Sequence, residues 1–177
     1  MEATLSGVKV EVVVGDITRQ HGFDAIVNAA NAQLRTGGGV AGAVHAAAGP
    51  GLERGARALA PIRPGQAVIT GGYSLPNKHV IHCLGPVYGV DLPSDVLLAD
   101  CYRNALAVAD ENSLESVAFP AISTGIFGYP MAEAAGVALN AVAETASSLR
   151  NVRRVRFVLR DDQALRLHEA ALADLAV

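Results

Sequence analysis

Residues 25–40 read AIVNAANAQLRTGGGV, an apolar run that continues into a polar segment and then into three consecutive glycines. A second stretch, residues 116–128, reads SVAFPAISTGIFG and places another glycine-containing loop after another apolar run. Each loop precedes a helix-like segment, and backbone N–H groups in such turns bind anions together with the helix N-terminus, without needing a lysine. Two loops of this kind facing one cleft predict a diphosphate site.

The rest of the chain alternates between short β-branched runs and longer segments rich in Ala and Leu, which is typical of a β-α-β succession. Strands are predicted at 8–14, 25–28, 67–70, 79–84, 116–120 and 152–159. Helices are predicted at 40–47, 52–59, 94–111, 131–149 and 162–175, with Ser94 and Asp162 as N-caps. Some strands are apolar throughout, as expected where helices cover both faces of a sheet. We therefore predict an α/β fold, a three-layer α/β/α sandwich with a central mixed six-stranded sheet, as a single domain over residues 1–177.

Composition excludes several classes of protein. Cys83 and Cys101 form no C-x-x-C pair, so we expect reduced, buried thiols rather than a disulfide or a zinc site, and we expect no metal and no cofactor. The N-terminus lacks a basic region followed by an apolar stretch, and no run approaches the roughly 18 apolar residues of a membrane span, which predicts a soluble, cytoplasmic protein. A formal net charge of -3 gives no general attraction to nucleic acid, so anion binding must come from local geometry.

The first loop also satisfies G-x-G-x-x-G, at Gly37, Gly39 and Gly42. A dinucleotide fingerprint would join the first strand directly to its helix and place an acidic residue about 20 positions later, at the end of the next strand. Here residues 31–35 intervene, and Glu53 falls too early, inside a predicted helix. A hydride-transfer enzyme is therefore disfavoured, and a P-loop is excluded because no Gly-Lys-Ser/Thr follows. A phosphate cradle of another kind and a flexible glycine turn remain the two interpretations.

Three polar side chains lie at the ends of predicted strands or shortly after them, where open α/β sheets place ligand-binding groups. Asn28 and Asn31 each offer a donor and an acceptor, so either can hold sugar hydroxyls without adding charge beside a diphosphate. The alternative is that they only satisfy loop backbone, which is equally favoured for Asn28 and less favoured for Asn31. Asp16 predicts a contact to the exocyclic amine of a base, although a plain turn or a helix cap explains the GDIT sequence at 15–18 equally well.

Four motifs in order make the chain resemble a macro domain of the MacroD type: GDIT at 15–18, AIVNAAN at 25–31, GGGV at 37–40 and PAISTGIFGYP at 120–130. The likeness runs from about residue 8 to residue 172. It implies an ADP-ribose site in which Asp16 contacts the adenine amino group, with the Ile17 backbone nearby. Asn31 would contact the distal ribose, and Phe127 would pack against it. The two loops would surround the diphosphate through Gly37, Gly38, Gly39, Val40, Ser123, Thr124, Gly125 and Ile126.

Two departures from the family pattern bear on activity and binding. MacroD-type hydrolases usually carry Gly-Gly-Val-Asp-Gly in the first loop, with the Asp taken to activate or position water, and this chain has Ala41 there. Loss of a carboxylate base weakens hydrolysis by about 10²- to 10⁴-fold without removing a binding contact. Arg160 stands where the family often stacks an aromatic residue on adenine, and a guanidinium plane can stack on a base as well.

The resemblance implies hydrolysis of ADP-ribose esters, which are mono-ADP-ribosylated Asp or Glu on proteins and O-acetyl-ADP-ribose. Some macro domains with Val-Ala at this place hydrolyse such esters by using the bound diphosphate and a strained ribose to orient water. Asn31 and Phe127 are then the predicted catalytic residues, because Asn31 would orient the distal ribose and Phe127 would hold it. The rival hypothesis is a non-catalytic reader of ADP-ribosylated targets, which the absence of a base at Ala41 suggests.

The histidines and Ser123 give no second catalytic site. His45 shares a helical face with Ala41, and we interpret it as a structural, hydrogen-bonded residue. His79 and His82 are expected to point to opposite faces of a strand, so they cannot readily share a metal. Ser123 lacks a G-x-S-x-G turn and evident His and Asp partners, which disfavours a serine hydrolase.

Arginines concentrate near the C-terminus of the chain. Arg154, Arg156 and Arg160 share one parity of the last predicted strand and could form a one-sided basic stripe. We favour a solvated or salt-bridged sheet edge over a nucleic-acid surface, because aromatic platforms are missing. RNA binding or a regulatory role is kept as a minor alternative.

Overall fold

The computed structural model describes residues 1–176 and shows one mixed sheet of seven strands flanked by five α-helices. The strands are β1 (Glu2–Leu5), β2 (Val8–Val14), β3 (Ala25–Ala29), β4 (Ala67–Gly71), β5 (His79–Cys83), β6 (Ser116–Phe119) and β7 (Arg154–Leu159). The helices are α1 (Gly39–Ala48), α2 (Gly51–Ala56), α3 (Ser94–Glu111), α4 (Met131–Ala146) and α5 (Asp162–Leu175), and short 3-10 turns cover Ile17–Arg19 and Arg57–Leu59. No helix in this part of the chain is long and apolar enough to cross a membrane. The predicted α/β/α sandwich is confirmed.

The strand order is β1-β2-β7-β6-β3-β5-β4, with five parallel strands in the middle and an antiparallel strand at each edge. Parallel strands end at the same edge of a sheet, so the carboxyl ends of β2, β7, β6 and β3 lie side by side. Asp16 follows β2, and Arg160 follows β7. The second glycine loop (residues 123–128) follows β6, and the first glycine loop (residues 37–40) follows β3. The fold therefore brings the predicted motifs to the edge where open α/β sheets bind ligands.

Two apolar cores pack on opposite faces of the sheet. Val27 and Phe157 face the larger core, which is completed by α3, α4 and α5. Their neighbours Ile26 and Val158 face the smaller core, where they pack with Leu52 and other residues of α1 and α2. Because both faces are covered, β6 reads Ser-Val-Ala-Phe and is buried throughout rather than alternating between apolar and polar residues.

The sheet has seven strands rather than the predicted six, because the first strand has a weak sequence signal. β1 pairs antiparallel with β2, with Glu2 opposite Glu11 and Leu5 opposite Val8. Of its four residues only Leu5 is buried. A short edge strand with one buried side chain shows neither an apolar run nor a clear alternation, which are the patterns that predict strands.

Both predicted N-caps are displaced by one residue. Helix α3 begins at Ser94 itself, whose hydroxyl donates to Asp91 O at 2.7 Å and accepts from Gly89 N at 3.1 Å, so Ser94 orders the preceding turn instead. Helix α5 is capped by Asp161, whose Oδ1 accepts from Ala164 N at 2.8 Å. Asp162, the predicted cap, is the first helical residue.

The two cysteines are buried free thiols, as predicted. Cys83 Sγ donates to Cys101 O at 3.6 Å, and Cys101 Sγ donates to Leu84 O at 3.2 Å. Burial raises the pKa of Cys101 to about 12, so the thiol stays protonated and unreactive at neutral pH.

Candidate functional site

The first glycine loop ends at the N-terminus of α1. Gly38 is the N-cap residue, and Gly39 has a φ of 56°, a left-handed conformation that favours glycine. A side chain on Gly42 would overlap the carbonyl oxygen of Gly37, so the first turn of the helix packs directly on the loop. The first N–H groups of a helix lack intrahelical acceptors and carry the positive end of the helix dipole. The first loop therefore has the geometry of an anion-binding helix N-terminus.

The second glycine loop connects β6 to α4 as a closed turn. Ser123 and Gly128 have φ values of 68° and 74°, and Tyr129 N donates to Ser123 O at 2.9 Å across the loop. Within residues 1–176, four consecutive backbone N–H groups in this loop donate to no protein acceptor. These are the N–H groups of Thr124, Gly125, Ile126 and Phe127. Successive unpaired N–H groups form a concave site for an anion.

Gly85, two residues after the end of β5, packs directly against the second glycine loop. A side chain there would overlap Ser123 Oγ and approach Ile122 Cγ2 to 2.6 Å. Ser123 is buried, and its Oγ has no hydrogen-bond partner among the described residues. Gly85 was not among the predicted site residues, although a Gly-Pro pair immediately after a predicted strand is a signal for a constrained turn.

Asn28 lies fully buried at the end of β3 and is held by His82, its register partner on β5. Asn28 Nδ2 donates to His82 Nδ1 at 3.2 Å, so His82 carries its proton on Nε2, which donates to Thr70 Oγ1 at 2.9 Å. Asn28 Oδ1 has no partner within residues 1–176. The side chain therefore does not satisfy loop backbone, which was one of the two interpretations. The roles of His82 and Thr70 were not predicted from the sequence.

Two buried histidines in this region are neutral at pH 7. Burial, with a smaller contribution from the nearby His45, lowers the pKa of His82 to about 4. Burial also lowers the pKa of His45, while the carboxylate of Glu53 acts in the opposite direction. His45 Nε2 has no hydrogen-bond partner in the described part of the chain, so the predicted hydrogen bond is not found at that atom.

His79 lies at the start of β5 and contacts the backbone of Thr70 rather than its hydroxyl. Its Nδ1 contacts Thr70 O at 3.2 Å, whereas both ring nitrogens of His82 are used by Asn28 and the Thr70 hydroxyl. Among residues 1–176, no three His, Cys, Asp or Glu side chains are close enough together to hold a metal ion.

Asn31, the predicted ribose contact, closes the loop that follows β3. Its Nδ2 donates to Arg35 O at 2.8 Å, and its Oδ1 accepts from Arg35 N at 3.0 Å. Asn31 therefore satisfies loop backbone, which was the less favoured interpretation of this side chain. A Cβ on Gly37 would come within 3.3 Å of Asn31 Nδ2, so the first glycine loop lies against this amide. An amide has a second hydrogen and a second lone pair, which leaves a donor and an acceptor for a ligand.

Asp16 begins the 3-10 turn that follows β2. Its Oδ1 accepts from Thr18 Oγ1 at 2.7 Å and from Thr18 N at 2.9 Å, which confirms the helix-cap interpretation. These two hydrogen bonds lower the pKa of the carboxyl group, so it is ionised at neutral pH. The side chain is 53% exposed, and its Oδ2 lies 3.8 Å from Arg19 Nε. Ile17 is buried in the smaller core, which places its backbone at the same edge of the sheet.

Phe127 and Arg160 lie at different positions along this edge. Phe127 is half-buried and packs against an apolar cluster that includes Ala30 and Leu34, two residues that follow β3. Arg160 is exposed directly after β7, next to the β2 end that carries Asp16. The order along the edge is therefore Asp16 and Arg160, then the second glycine loop, then the β3 end with Phe127.

Ala41 lies in the first turn of α1 and is buried. Its methyl group can neither donate nor accept a proton. His45, one turn later on the same helix, is the next titratable side chain along α1, and burial keeps it neutral at pH 7. Helix α1 therefore brings no carboxylate to the cleft.

Arg154 and Arg156 do not form an exposed basic stripe. Strand β7 lies between β2 and β6, so the predicted sheet edge is wrong. Both guanidinium groups hydrogen-bond to the buried carboxylate of Glu11 and lie 4.4 and 4.6 Å from the centre of the Phe23 ring. Burial would raise the pKa of Glu11, but the hydrogen bonds and charges of the two arginines lower it overall. The salt-bridge interpretation is confirmed, and Arg160 is the exposed member of the three.

The chain is similar to known macro domain proteins in sequence and in fold. The family model described as Macro domain matches residues 27–138. A macro domain-containing protein from Cupriavidus necator is 44% identical over 174 residues, covering 96% of this chain and 100% of that protein. A protein named O-acetyl-ADP-ribose deacetylase, from Enterobacter cloacae, is 43% identical over 169 residues, covering 93% of each chain. A solved structure of a mutant Oceanobacillus iheyensis macrodomain with ADPR has a TM-score of 0.94 at 36% identity, covering 99% of this chain and 97% of that one.

Proposed function

This chain belongs to the macro domain family, and on that premise we propose that it binds ADP-ribose along the carboxyl edge of its sheet. Adenine lies at the end formed by β2 and β7, near Asp16, the Ile17 backbone and Arg160. The diphosphate lies between the glycine loops, and the distal ribose lies near Asn31 and Phe127. The observation that carries the proposal is the strand order β2, β7, β6, β3, because it matches the order of base, diphosphate and distal ribose in the ligand.

Backbone donors supply the affinity for the diphosphate. The four unpaired N–H groups of residues 124–127 and the N-terminus of α1 come from the two loops that flank the middle of the cleft. A hydrogen bond to a charged group contributes about 1.5–3 kcal/mol, so several of them hold a diphosphate without a lysine. This mode of binding suits a chain whose formal net charge is -3.

The reaction we propose is hydrolysis of esters of ADP-ribose, either O-acetyl-ADP-ribose or mono-ADP-ribosylated Asp and Glu. One water is consumed, the ester C–O bond breaks, and the products are ADP-ribose, a carboxylate and a proton released to solvent. The name of the Enterobacter cloacae relative, O-acetyl-ADP-ribose deacetylase, supports this reaction class. Because Ala41 supplies no base, Asn31 and Phe127 act by holding the ribose, and the bound diphosphate helps to position the water.

A second candidate function is a reader that binds ADP-ribosylated targets without turnover. One observation favours it: helix α1 carries Ala41 and a buried, neutral His45 where a base would be needed. Binding and turnover must therefore be measured separately.

The experiment that separates the two functions measures ADP-ribose release under single turnover, with binding of ADP-ribose followed by calorimetry. For an enzyme, Asn31→Ala should reduce release at least about 100-fold while weakening binding only a few-fold, because positioning contributes more to the rate than to affinity. Asn140→Ala removes an exposed amide on α4 and is the matched control, which should behave like the native chain. Binding without release by the native chain would establish the reader.

A further inference from the structure

A pocket of about 360 Å³ lies beside the Asn31 end of the proposed cleft. It is lined by Gln33, Arg35, Glu53, Arg57 and Ala60, which come from the loop after β3, from α2 and from the 3-10 turn that follows α2. We propose that this pocket receives an acidic segment of the polypeptide that carries the ADP-ribose. The inference rests on the proposed function, and it names the class of protein substrate that the same site selects.

The pocket and the ribose end of the cleft are joined by hydrogen bonds and by a shared apolar cluster. Asn31 holds the backbone of Arg35 through both its amide nitrogen and its amide oxygen. Ala60, a wall of the pocket, packs in the same apolar cluster as Phe127, around the buried Leu34. The position of Arg35 is therefore tied directly to the residue proposed to orient the ribose.

The pocket presents two guanidinium groups that have no acidic partner. Arg35 and Arg57 are exposed and form no ion pair within residues 1–176, whereas Arg103, Arg154 and Arg156 each bind a carboxylate. Glu53 and Arg57 both line the pocket and are four residues apart, a spacing that often produces an ion pair on a helix, yet they are not among the ion pairs of residues 1–176. The pocket thus keeps a net positive charge in a protein whose overall charge is negative.

The chemistry of the substrate explains why acidic segments fit this pocket. In a mono-ADP-ribosylated protein the modified Asp or Glu is bonded to the distal ribose, so the polypeptide leaves the cleft at its Asn31 end. Guanidinium groups bind carboxylates through two parallel hydrogen bonds, and carboxylates next to the modified residue would satisfy both arginines. Gln33 and Glu53 offer acceptors for backbone N–H groups of the same segment. O-acetyl-ADP-ribose ends at its acetyl group and has no polypeptide to place there.

The test compares two mono-ADP-ribosylated peptides of equal length, with the modified Glu flanked by Glu in one and by Gln in the other, and O-acetyl-ADP-ribose as a third substrate. The pocket variant is Arg35→Ala/Arg57→Ala. The control is Arg54→Ala/Arg63→Ala, which removes two exposed arginines that do not line the pocket and changes the net charge equally. We expect the pocket variant to lose about tenfold in kcat/KM on the Glu-flanked peptide, mainly through KM. Turnover of O-acetyl-ADP-ribose and affinity for ADP-ribose should stay unchanged.

Salt gives an independent readout. Raising the ionic strength from about 0.1 M to 1 M shortens the Debye length from about 10 Å to 3 Å, so the native preference for the Glu-flanked peptide should shrink. Equal kcat/KM values of the native chain for the two peptides, or equal losses in the pocket and control variants, would overturn the proposal. If the native chain binds without turnover, the dissociation constants of the same two peptides decide the question in the same way. Failure of the native chain to bind ADP-ribose would instead refute the proposed function, together with the inference that depends on it.

Discussion

Position 41 connects the sequence of α1 most directly to turnover. Ala41 lies in the first turn of this helix, and that turn contains no titratable side chain. We predict that Ala41→Asp raises the single-turnover rate of ester hydrolysis by about 10²- to 10⁴-fold, because it adds a group able to accept a proton from water. Ala41→Asn, which is nearly isosteric with Asp but not basic, should give no such gain. The prediction fails if both variants change the rate equally.

The buried His82, which hydrogen-bonds to Asn28 and Thr70, makes the stability of the fold depend on pH. The pKa of His82 is about 4 in the folded chain, against an ordinary value of 6.5. Because the folded value is lower, the unfolded chain binds the proton first, and stability is complete above pH 6.5 and falls as the pH drops towards 4. The loss attributable to His82 is about 3 kcal/mol. Burial lowers the pKa values of His45 and His168 as well, so they act in the same direction.

Urea unfolding between pH 7.5 and 4.5 measures this effect. His82→Gln keeps one donor and one acceptor but does not titrate. As the pH drops from 6.5 to 4.5, the free energy of unfolding of the variant should fall less steeply than that of the native chain, with slopes that differ by up to about 1.4 kcal/mol per pH unit. Parallel slopes for the two proteins would show that His82 is not the group responsible.

At the scale of the element, the second glycine loop depends on its contact with Gly85. An alanine there would overlap Ser123 and crowd Ile122, so Gly85→Ala must displace the loop. We predict a loss of ADP-ribose affinity of at least about tenfold, since several backbone hydrogen bonds depend on the placement of the loop. Calorimetry with ADP-ribose measures it.

Gly136→Ala is the matched control for that substitution. Its added methyl group meets nothing within 4 Å in the middle of α4, so it should leave affinity unchanged and stabilise the fold by about 0.5–1 kcal/mol. Native affinity in Gly85→Ala would show that the loop tolerates movement and that its geometry does not determine binding.

The elements that local patterns could predict are those buried on both faces or bounded by clear turns. Strand β6 and helix α3 were predicted for this reason, whereas β1 was not predicted because only Leu5 is buried in it. The contact between Asn28 and His82 depends on the register of β3 against β5, which no local pattern specifies. The same holds for Glu11 opposite Arg156, so the arginines looked exposed in the sequence although they are paired in the fold.

At the scale of the whole molecule, the position of β7 decides what the C-terminal arginines do. Arg156 binds Glu11 and donates to Gln20 Oε1 at 3.1 Å in the interior of the sheet. We predict that Arg156→Ala lowers the free energy of unfolding by about 1–3 kcal/mol, because the buried carboxylate of Glu11 loses one of the two guanidinium groups that bind it. Arg150→Ala, an exposed arginine in the same region, should change it by less than about 0.5 kcal/mol.

The minor alternative of RNA binding is tested with the same two proteins. We expect no RNA mobility shift from the native chain, and ADP-ribose affinity that is unchanged in Arg156→Ala. An RNA shift that disappears in Arg156→Ala but persists in Arg150→Ala would favour an RNA-binding role for β7.

Four of the seven strands contribute to the proposed site, because the proposed base, diphosphate and ribose contacts follow the ends of β2, β7, β6 and β3. The motifs could be found in the sequence, and the resemblance to macro domains placed them in one site. Their linear order along the edge follows from the strand order, which depends on crossovers that a single sequence does not show. The charged pocket beside Asn31 was also hidden, since Arg35 and Arg57 come from separate segments that only the fold brings together.

A calorimetric titration of the native chain with ADP-ribose, ADP and AMP tests the central claim most directly. If the diphosphate lies between two backbone donor loops and the distal ribose lies at Asn31, ADP-ribose should bind as one molecule per chain. ADP should then bind more weakly, and AMP more weakly still, because each lacks a further part of the contacts. No detectable binding of ADP-ribose, or AMP binding as tightly as ADP-ribose, would contradict the account.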